Sequence, residues 1–284
     1  PEVSNKANPI HPNNLDNDLI INEYADALMK NLEKSWIEKS DFWASNAINY
    51  TQAVIMYLKE THPEYCDLPH AIAMLLTDYE IVLEALSSNE RIKRTIQPII
   101  VAHEKNAEGQ LSGVVSSVQL PVSKLDNKEI FWCLSPTEED YKNNRVVDLD
   151  LSNKENPTML TICNNPEIDT ALSPVISVIL SVIMKNINQK GKNPSLFSCD
   201  ELPSVYIKNL DKLPATARSN KVVTLLGIQD FSQLVRDYGQ KNADTIISNM
   251  GNQFTGMTNN ERTGKRMSDM LGKIKKIDFS YSTS

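Results

Sequence analysis

The sequence predicts a mixed α/β protein in which an all-helical segment precedes part of a parallel sheet. Through residues 19–122, apolar residues recur at three- and four-residue steps, the period of an amphipathic helix. From about residue 125, short apolar runs alternate with helical stretches, as they do where helices cover a parallel sheet. A third observation concerns chemistry, because one of these apolar runs ends in the acidic pair Asp200-Glu201.

The helical segment begins after an Asn- and Pro-rich entry of 18 residues and is predicted to contain four helices. Ser40 or Asp41 can cap the second helix, and Asp67 can cap the third. Asn89 opens the fourth, in which Pro98 predicts either a kink or a restart of the helix.

One face of the second helix carries an aromatic stripe, because Trp43, Tyr50 and Tyr57 lie seven residues apart. Aromatic rings with lysines nearby could stack nucleic-acid bases. A stripe at this spacing is more often part of a helix's buried face, and we expect these rings to belong to the core.

The second half carries apolar runs that predict strands. The run 168–187 is instead long and apolar on all sides, which predicts a buried helix starting near Pro174 and ending before Gly191. The cleanest candidate for a strand of a parallel sheet is the last run. The predicted strands are 130–134, 146–151, 158–163, 195–199 and 222–228.

Composition excludes several classes of protein. The net charge of −7 argues against a domain whose whole surface binds nucleic acid, although a local basic lining stays open. The four cysteines form no CxxC pair and are expected to be reduced core residues, and the four histidines lack metal-ligand spacing. No run of 18 apolar residues occurs, so we expect no membrane-spanning segment within this chain.

Four side chains together could perform phosphoryl-transfer chemistry. Asp200 could hold Mg²⁺ through a water, and Glu201 could polarise the attacking water. Gln229 follows the next predicted strand, at the edge where open parallel sheets bind ligands, and its amide can both donate and accept hydrogen bonds. Arg218 precedes that strand and could reach a neighbouring subunit's phosphate. Any one of these residues alone would more often be an ordinary polar residue at a strand end or surface.

Their order along the chain resembles the type IV coupling proteins of the TraG/TraD family, hexameric ATPases that feed DNA to conjugative secretion channels. Residues 196–203 look like the family's second acidic motif, and 217–219 look like its arginine segment. The stretch 227–234, with Tyr238-Gly239 after it, looks like the glutamine motif and its helix. Two weaker likenesses are Asn8-Pro9-Ile10, which resembles the entry to the family's all-α domain, and Asn249 with Phe254-Thr255-Gly256, which resembles a core strand.

The resemblance implies part of a RecA-like parallel-sheet nucleotide-motor core with an inserted all-α domain. Residues 1–18 would be an extended segment of the core, 19–122 the all-helical domain, and 123–284 the C-terminal part of the core. It implies ATP and Mg²⁺ as cofactors of the full-length protein, with Asp200 and Gln229 binding the nucleotide. Asp200, Glu201, Gln229 and Arg218 would be catalytic residues, and Asp200 would hold the magnesium through water.

The implied partners are relaxase and other relaxosome proteins, single- or double-stranded DNA, components of the type IV secretion channel, and further copies of the chain in a homo-hexamer. The full-length protein would be anchored at the cytoplasmic face of the bacterial inner membrane. Lys265, Arg266 and Lys273 in the basic C-terminal stretch are candidates for DNA contact, whereas a solvated amphipathic helix around Met267 and Met270 explains the same residues equally well.

One departure from the family concerns the phosphate-binding loop, GxxxxGK[ST]. Gly264-Lys265 and Gly272-Lys273 lack the upstream glycine, since Asn259 and Met267 occupy its place. In the family this loop and the transmembrane helices precede the Asn-Pro segment, so we expect the chain to be the soluble region downstream of both. We therefore expect it to bind nucleotide poorly and not to hydrolyse ATP by itself. The alternatives are a non-catalytic protein-docking module and another hexameric DNA or protein pump.

Overall fold

The computed structural model describes residues 4–272. Its first half is helical, as the periodicity predicts, and a short 3-10 turn at Pro12–Asn14 leads into it. The helices are α1 (Asp18–Leu32), α2 (Ser35–Glu38), α3 (Phe42–Thr61), α4 (Leu68–Leu76), α5 (Tyr79–Ser87), α6 (Glu90–Thr95), α7 (Gln97–Glu104) and α8 (Glu108–Val122).

The second half mixes helices with two strands that pair in parallel. Short 3-10 turns follow β1 at Leu202–Ser204 and precede β2 at Ala217–Asn220. The elements are α9 (Lys128–Leu134), α10 (Glu138–Lys142), α11 (Asp169–Ile187), β1 (Ser195–Cys199), α12 (Leu213–Thr216), β2 (Val222–Leu226), α13 (Phe231–Tyr238), α14 (Gln240–Asn249) and α15 (Glu261–Leu271).

Side-chain caps fix where the helices begin. Asp41, rather than Ser40, caps α3 by accepting a 2.8 Å hydrogen bond from the backbone N–H of Ala44. Asp67 and Asn89 cap α4 and α6 in the same way, as their positions in the sequence predict. The predicted restart at Pro98 is confirmed, because α6 ends at Thr95 and Pro98 lies in the first turn of α7.

One continuous apolar core joins the two halves of the chain. Helix α1 packs against α3 on one side and against α11 on the other, so the first helix of the helical half also contacts the sheet-bearing half. Tyr50 is buried in this core, Tyr57 is half-buried, and Trp43 stays 39% exposed. The aromatic stripe is therefore core at its centre, and Trp43 lies at its rim.

The sheet has the predicted parallel pairing, with Ser195 beside Val222 and Cys199 beside Leu226. Phe197 and Val222 point into the core, whereas Leu196, Val223 and Leu225 are 64%, 62% and 55% exposed. The parallel strand predicted over 222–228 is confirmed at Val222–Leu226, and one face of this two-stranded sheet is uncovered within residues 4–272.

Three predicted strands are absent from the described residues. Residues 130–134 lie in α9, because Asn127 caps a helix there by accepting from the N–H of Ile130 at 2.8 Å. A single bridge, Lys6 with Val146, is all that forms in 146–151. Residues 158–163 have no regular structure, and only Leu160 and Ile162 turn toward the core. A short apolar run has too few residues to show a period, so it cannot separate a strand from a helical turn.

Residues 254–256, which resemble a core strand, form no strand either. Phe254 is 95% exposed, and no described backbone pairs with this stretch in a sheet. A strand needs a neighbouring strand to satisfy its N–H and C=O groups, and residues 4–272 supply none here.

The apolar helix predicted over 168–187 is confirmed as α11, with Pro174 inside its first two turns. With its leading turn, Pro166–Ile187 is long and apolar enough to cross a membrane, although half of it is buried inside the protein. All four cysteines are free thiols, of which Cys66 is buried and Cys163 is exposed. The expectation of a core position is therefore wrong for Cys163.

Candidate functional site

The parallel register places the ends of β1 and β2 side by side. The N–H of Gly227 donates to the carbonyl of Cys199 at 2.8 Å, and the N–H of Leu202 donates to the carbonyl of Gly227 at 2.9 Å. The two residues between these bonds on the β1 side are Asp200 and Glu201. The acidic pair therefore lies at the carboxyl edge of the sheet, where parallel sheets bind ligands.

Gly227 is required by the position of Asp200. A Cβ at residue 227 would lie 2.8 Å from Oδ1 of Asp200 and 3.4 Å from its Cα. The same Oδ1 accepts a hydrogen bond from the N–H of Glu201 at 3.1 Å, which orients the carboxylate. Asp200 is otherwise exposed, so its second oxygen is open to solvent.

Glu201 has a left-handed backbone, with φ 57° and ψ 55°. This conformation costs a residue with a Cβ about 1–2 kcal/mol, and such strain is commonly retained at functional sites. The Glu201 carboxylate accepts a 2.7 Å hydrogen bond from Nε2 of Gln229. The structure therefore brings together three of the predicted site residues, Asp200, Glu201 and Gln229.

The charge of this acidic pair is not neutralised within residues 4–272, where no lysine or arginine forms an ion pair with Asp200 or Glu201. Burial, and then the two nearby carboxylates, raise the pKa of the Cys199 thiol to about 11. The described residues contain no group of three or more protein metal ligands. Magnesium does not require one, since it is held by one or two carboxylates together with water and substrate phosphates. The residues present thus fit a magnesium–nucleotide complex.

Arg218 is not brought to this edge. It lies exposed in the 3-10 turn that precedes β2, whereas Gln229 follows β2. The five residues of the strand separate the two ends by about 16 Å at 3.3 Å per residue. A contact between Arg218 and the acidic pair of the same chain is excluded at that distance, and its role toward a neighbouring subunit stays a prediction.

The loop that follows the acidic pair is fastened by residues that the sequence analysis did not single out. The Tyr238 hydroxyl donates to the carbonyl of Val205 at 2.8 Å and accepts from the N–H of Ile207 at 3.0 Å. Burial raises the pKa of Tyr238 well above its usual value, so the hydroxyl stays protonated and can make both bonds. Asn31 binds Tyr206 between them. The signal for Asn31 was present in the sequence, because it is a polar residue on the apolar face of α1.

The basic residues of α15 are partly engaged inside the chain. The guanidinium of Arg266 lies 4.4 Å from the ring centre of Phe231 and 3.0 Å from the Asp244 carboxylate. Lys265 is exposed. Lys273, the third candidate for DNA contact, lies outside the described residues, as do Lys275 and Lys276.

The part of the chain that carries the site motifs is similar in sequence to known proteins. Residues 194–284 match the family model described as the TraM recognition site of TraD and TraG. Over 95 residues, the chain is 33% identical to the coupling protein TraD of Escherichia coli strain K12, a match covering 32% of this chain and 13% of that protein. Part of this chain is therefore similar to coupling proteins of the TraG/TraD type. These matches confirm the resemblance to TraG/TraD-type coupling proteins that the motif order indicates.

Solved structures of the plasmid coupling protein TrwB show the fold. The complex with the GTP analogue GDPNP superposes with a TM-score of 0.61 at 16% identity, covering 83% of this chain and 52% of TrwB. The unbound form gives 0.62 at 17% identity. A further TrwB structure contains ADP and Mg²⁺. The predicted fold class, part of a RecA-like α/β core with an all-α region, is confirmed as a fold shared with TrwB, and the chain spans about half the length of these TrwB structures.

Proposed function

We propose that this chain is the cytoplasmic region of a membrane-anchored, hexameric coupling ATPase that recruits relaxase-bound DNA and drives it to a type IV secretion channel. The hydrogen bond between Glu201 and Gln229 carries the proposal, because it places the side chains of two separate motifs at one sheet edge. The TraG/TraD-type motif order and the TrwB-like fold support it.

ATP with Mg²⁺ would supply the free energy for translocation when bound to the full-length protein. Asp200 would hold the magnesium through a water, since its outer oxygen faces solvent at the carboxyl edge. Glu201 would orient the attacking water and accept its proton. Gln229 donates to Glu201 and keeps that carboxylate at the sheet edge, so loss of this bond can signal a change of nucleotide state. Arg218 would act on the site of a neighbouring subunit, because its own site lies at the far end of β2.

The helical region 19–122 would be the substrate-recognition domain, with 1–18 and 123–284 belonging to the motor core. The partners proposed for it are relaxase and accessory relaxosome proteins. The match to a model named for TraM recognition supports a relaxosome partner for residues 194–284. Among the residues predicted to contact DNA, Lys265 is exposed to solvent and could bind a DNA phosphate.

A mating assay with the full-length protein tests the proposal. Gln229→Glu keeps the size of the side chain but sets a second carboxylate against Glu201. We expect the frequency of DNA transfer to fall by about 100-fold or more, because general-base chemistry contributes at least that factor. Gln110→Glu, the same substitution on an exposed position of α8, is the matched control and should transfer DNA normally. Equal transfer by both variants would refute the proposal.

The alternative function is a docking module without catalytic action. Two experiments distinguish docking to a protein from binding to the DNA backbone. One is a pull-down of the purified chain with the relaxase of its own conjugative system, and the other is a titration with DNA at several salt concentrations. For binding through phosphate contacts, the logarithm of the binding constant falls linearly with the logarithm of the salt concentration. Protein docking through apolar contacts does not show this dependence.

A further inference from the structure

We propose that Asn31, on the first helix of the helical half, is a positioning residue for the acidic pair. It would act by clamping the backbone of the loop that leaves Glu201. The inference rests on the proposed function, since it assigns to the helical half a direct hold on the hydrolytic carboxylates. The Asn31 side chain is buried, and its amide makes two hydrogen bonds to the loop.

The clamp is a two-point contact. Nδ2 of Asn31 donates to the carbonyl of Tyr206 at 2.8 Å, and Oδ1 accepts from the N–H of the same residue at 3.1 Å. The amide side chain thus pairs with one backbone residue as a neighbouring strand would. Nδ2 also donates to the carbonyl of Ala27 at 2.9 Å within α1, which fixes the side-chain rotamer.

The clamped segment is buried and has no secondary structure of its own. Val205, Tyr206 and Ile207 are only 4%, 7% and 1% exposed. Buried backbone groups must find partners, and here side chains from three helices supply them. Tyr238 of α13 binds on either side of the residue that Asn31 holds, and Ser177 of α11 donates to the Tyr206 carbonyl at 2.7 Å.

The connection from the clamp to the acidic pair is short and internally bonded. Ser204 donates its N–H to the carbonyl of Glu201 at 3.0 Å, and Val205 donates to that of Leu202 at 3.3 Å. These bonds form one 3-10 turn that starts at the left-handed Glu201. A shift of Tyr206 is therefore passed to Glu201 through a turn with no free hinge, and a displacement of about 1 Å at a reacting group can cost about 100-fold in rate.

A second contact from α1 holds the next residues of the same loop. The Lys208 ammonium lies 2.8 Å from Oδ2 of Asp26 and 3.0 Å from Oε2 of Glu23. The Asn209 amide donates to the same Glu23 oxygen at 3.1 Å. Helix α1 thus holds the loop at two successive points, so a movement of α1 relative to the sheet would move the loop with it.

Hydrogen exchange on the isolated chain tests the clamp without nucleotide. Asn31→Ser removes both bonds to Tyr206, while the serine hydroxyl can still bond to the Ala27 carbonyl. We expect the amides of Leu202 and Tyr206 to exchange about tenfold faster or more, with α3 unaffected. Asn22→Ser is the matched control, because Asn22 is also on α1 but donates to Gln52 at 2.9 Å within the helical half.

Steady-state ATP hydrolysis by the full-length protein separates positioning from a purely structural role. Asn31→Ser should lower kcat by about tenfold or more and leave KM for ATP unchanged, whereas Asn22→Ser should change neither. The proposal is overturned if the Leu202 amide keeps its exchange rate in Asn31→Ser, if both variants speed exchange equally, or if KM alone changes. Failure of the proposed function would instead appear as hydrolysis insensitive to Glu201→Gln, with the exchange result unaffected. If Asn31→Ser does not fold, Ser177→Ala removes one bond to the same carbonyl and should give the same local pattern.

Discussion

Removal of the Tyr238 hydroxyl should destabilise the protein far more than removal of the hydroxyl on the neighbouring Tyr206. In Tyr238→Phe, the carbonyl of Val205 and the N–H of Ile207 both lose their partner. Both residues are buried, at 4% and 1% exposure, so water cannot readily replace the hydroxyl. An unsatisfied buried backbone group costs about 1–3 kcal/mol, so the pair should lower the free energy of unfolding by about 2–6 kcal/mol.

Tyr206→Phe is a close control, because the two ring centres are 5.2 Å apart and both rings are buried. Within residues 4–272, the Tyr206 hydroxyl makes no hydrogen bond to a backbone group, so its loss should cost less than about 1 kcal/mol. Urea unfolding of the wild type and both variants measures the difference, with an unchanged m-value showing that the unfolded states are comparable. Equal losses in the two variants would refute the reasoning that the hydroxyl satisfies the loop backbone.

Three further outcomes follow from the same contacts. Gly227→Ala should displace Asp200 and reduce magnesium-dependent ATP hydrolysis by the full-length protein, because the new Cβ would lie 2.8 Å from the Asp200 carboxylate; an unchanged rate would contradict this. The free energy of unfolding, measured in urea, should be about 1 kcal/mol higher for Glu201→Gly than for Glu201→Ala, because φ is 57° at this position. A more stable alanine variant would contradict the left-handed backbone. A 2.7 Å hydrogen bond from Lys6, together with two hydrogen bonds from Thr137, lowers the pKa of Asp140 from 3.8 to about 2. The stability from these contacts is therefore present above about pH 4 and lost as the pH falls toward 2. Asp140→Asn should flatten acid unfolding in that interval, and an unaltered acid-unfolding profile would show that the contacts do not contribute.

The sequence could predict the meeting of Glu201 with Gln229 because both follow strands, and parallel strands bring their carboxyl ends to the same edge. It could also predict α11, whose length and apolar character allow few alternatives. The strand predicted over 130–134 is a helix instead, because strand propensity is weak evidence in a short run. The side-chain cap at Asn127 stabilises the start of that helix.

The contacts that hold the loop after Glu201 could not be predicted from the sequence. Asn31 and Tyr206 are 175 residues apart in the chain, and nothing in their local sequence states that they pair. The polar residue on the apolar face of α1 indicates only that some buried partner exists. The need for glycine at 227 likewise depends on how closely the β1 end approaches β2.

We propose above all that Asp200, Glu201 and Gln229 form part of an ATP-hydrolysing site. The most direct test is magnesium-dependent ATP hydrolysis by the full-length protein carrying Glu201→Gln, with Glu155→Gln in an exposed loop as the control. We expect kcat to fall by about 100-fold or more in Glu201→Gln and to stay unchanged in Glu155→Gln. A rate equal to that of the wild type in Glu201→Gln would contradict it.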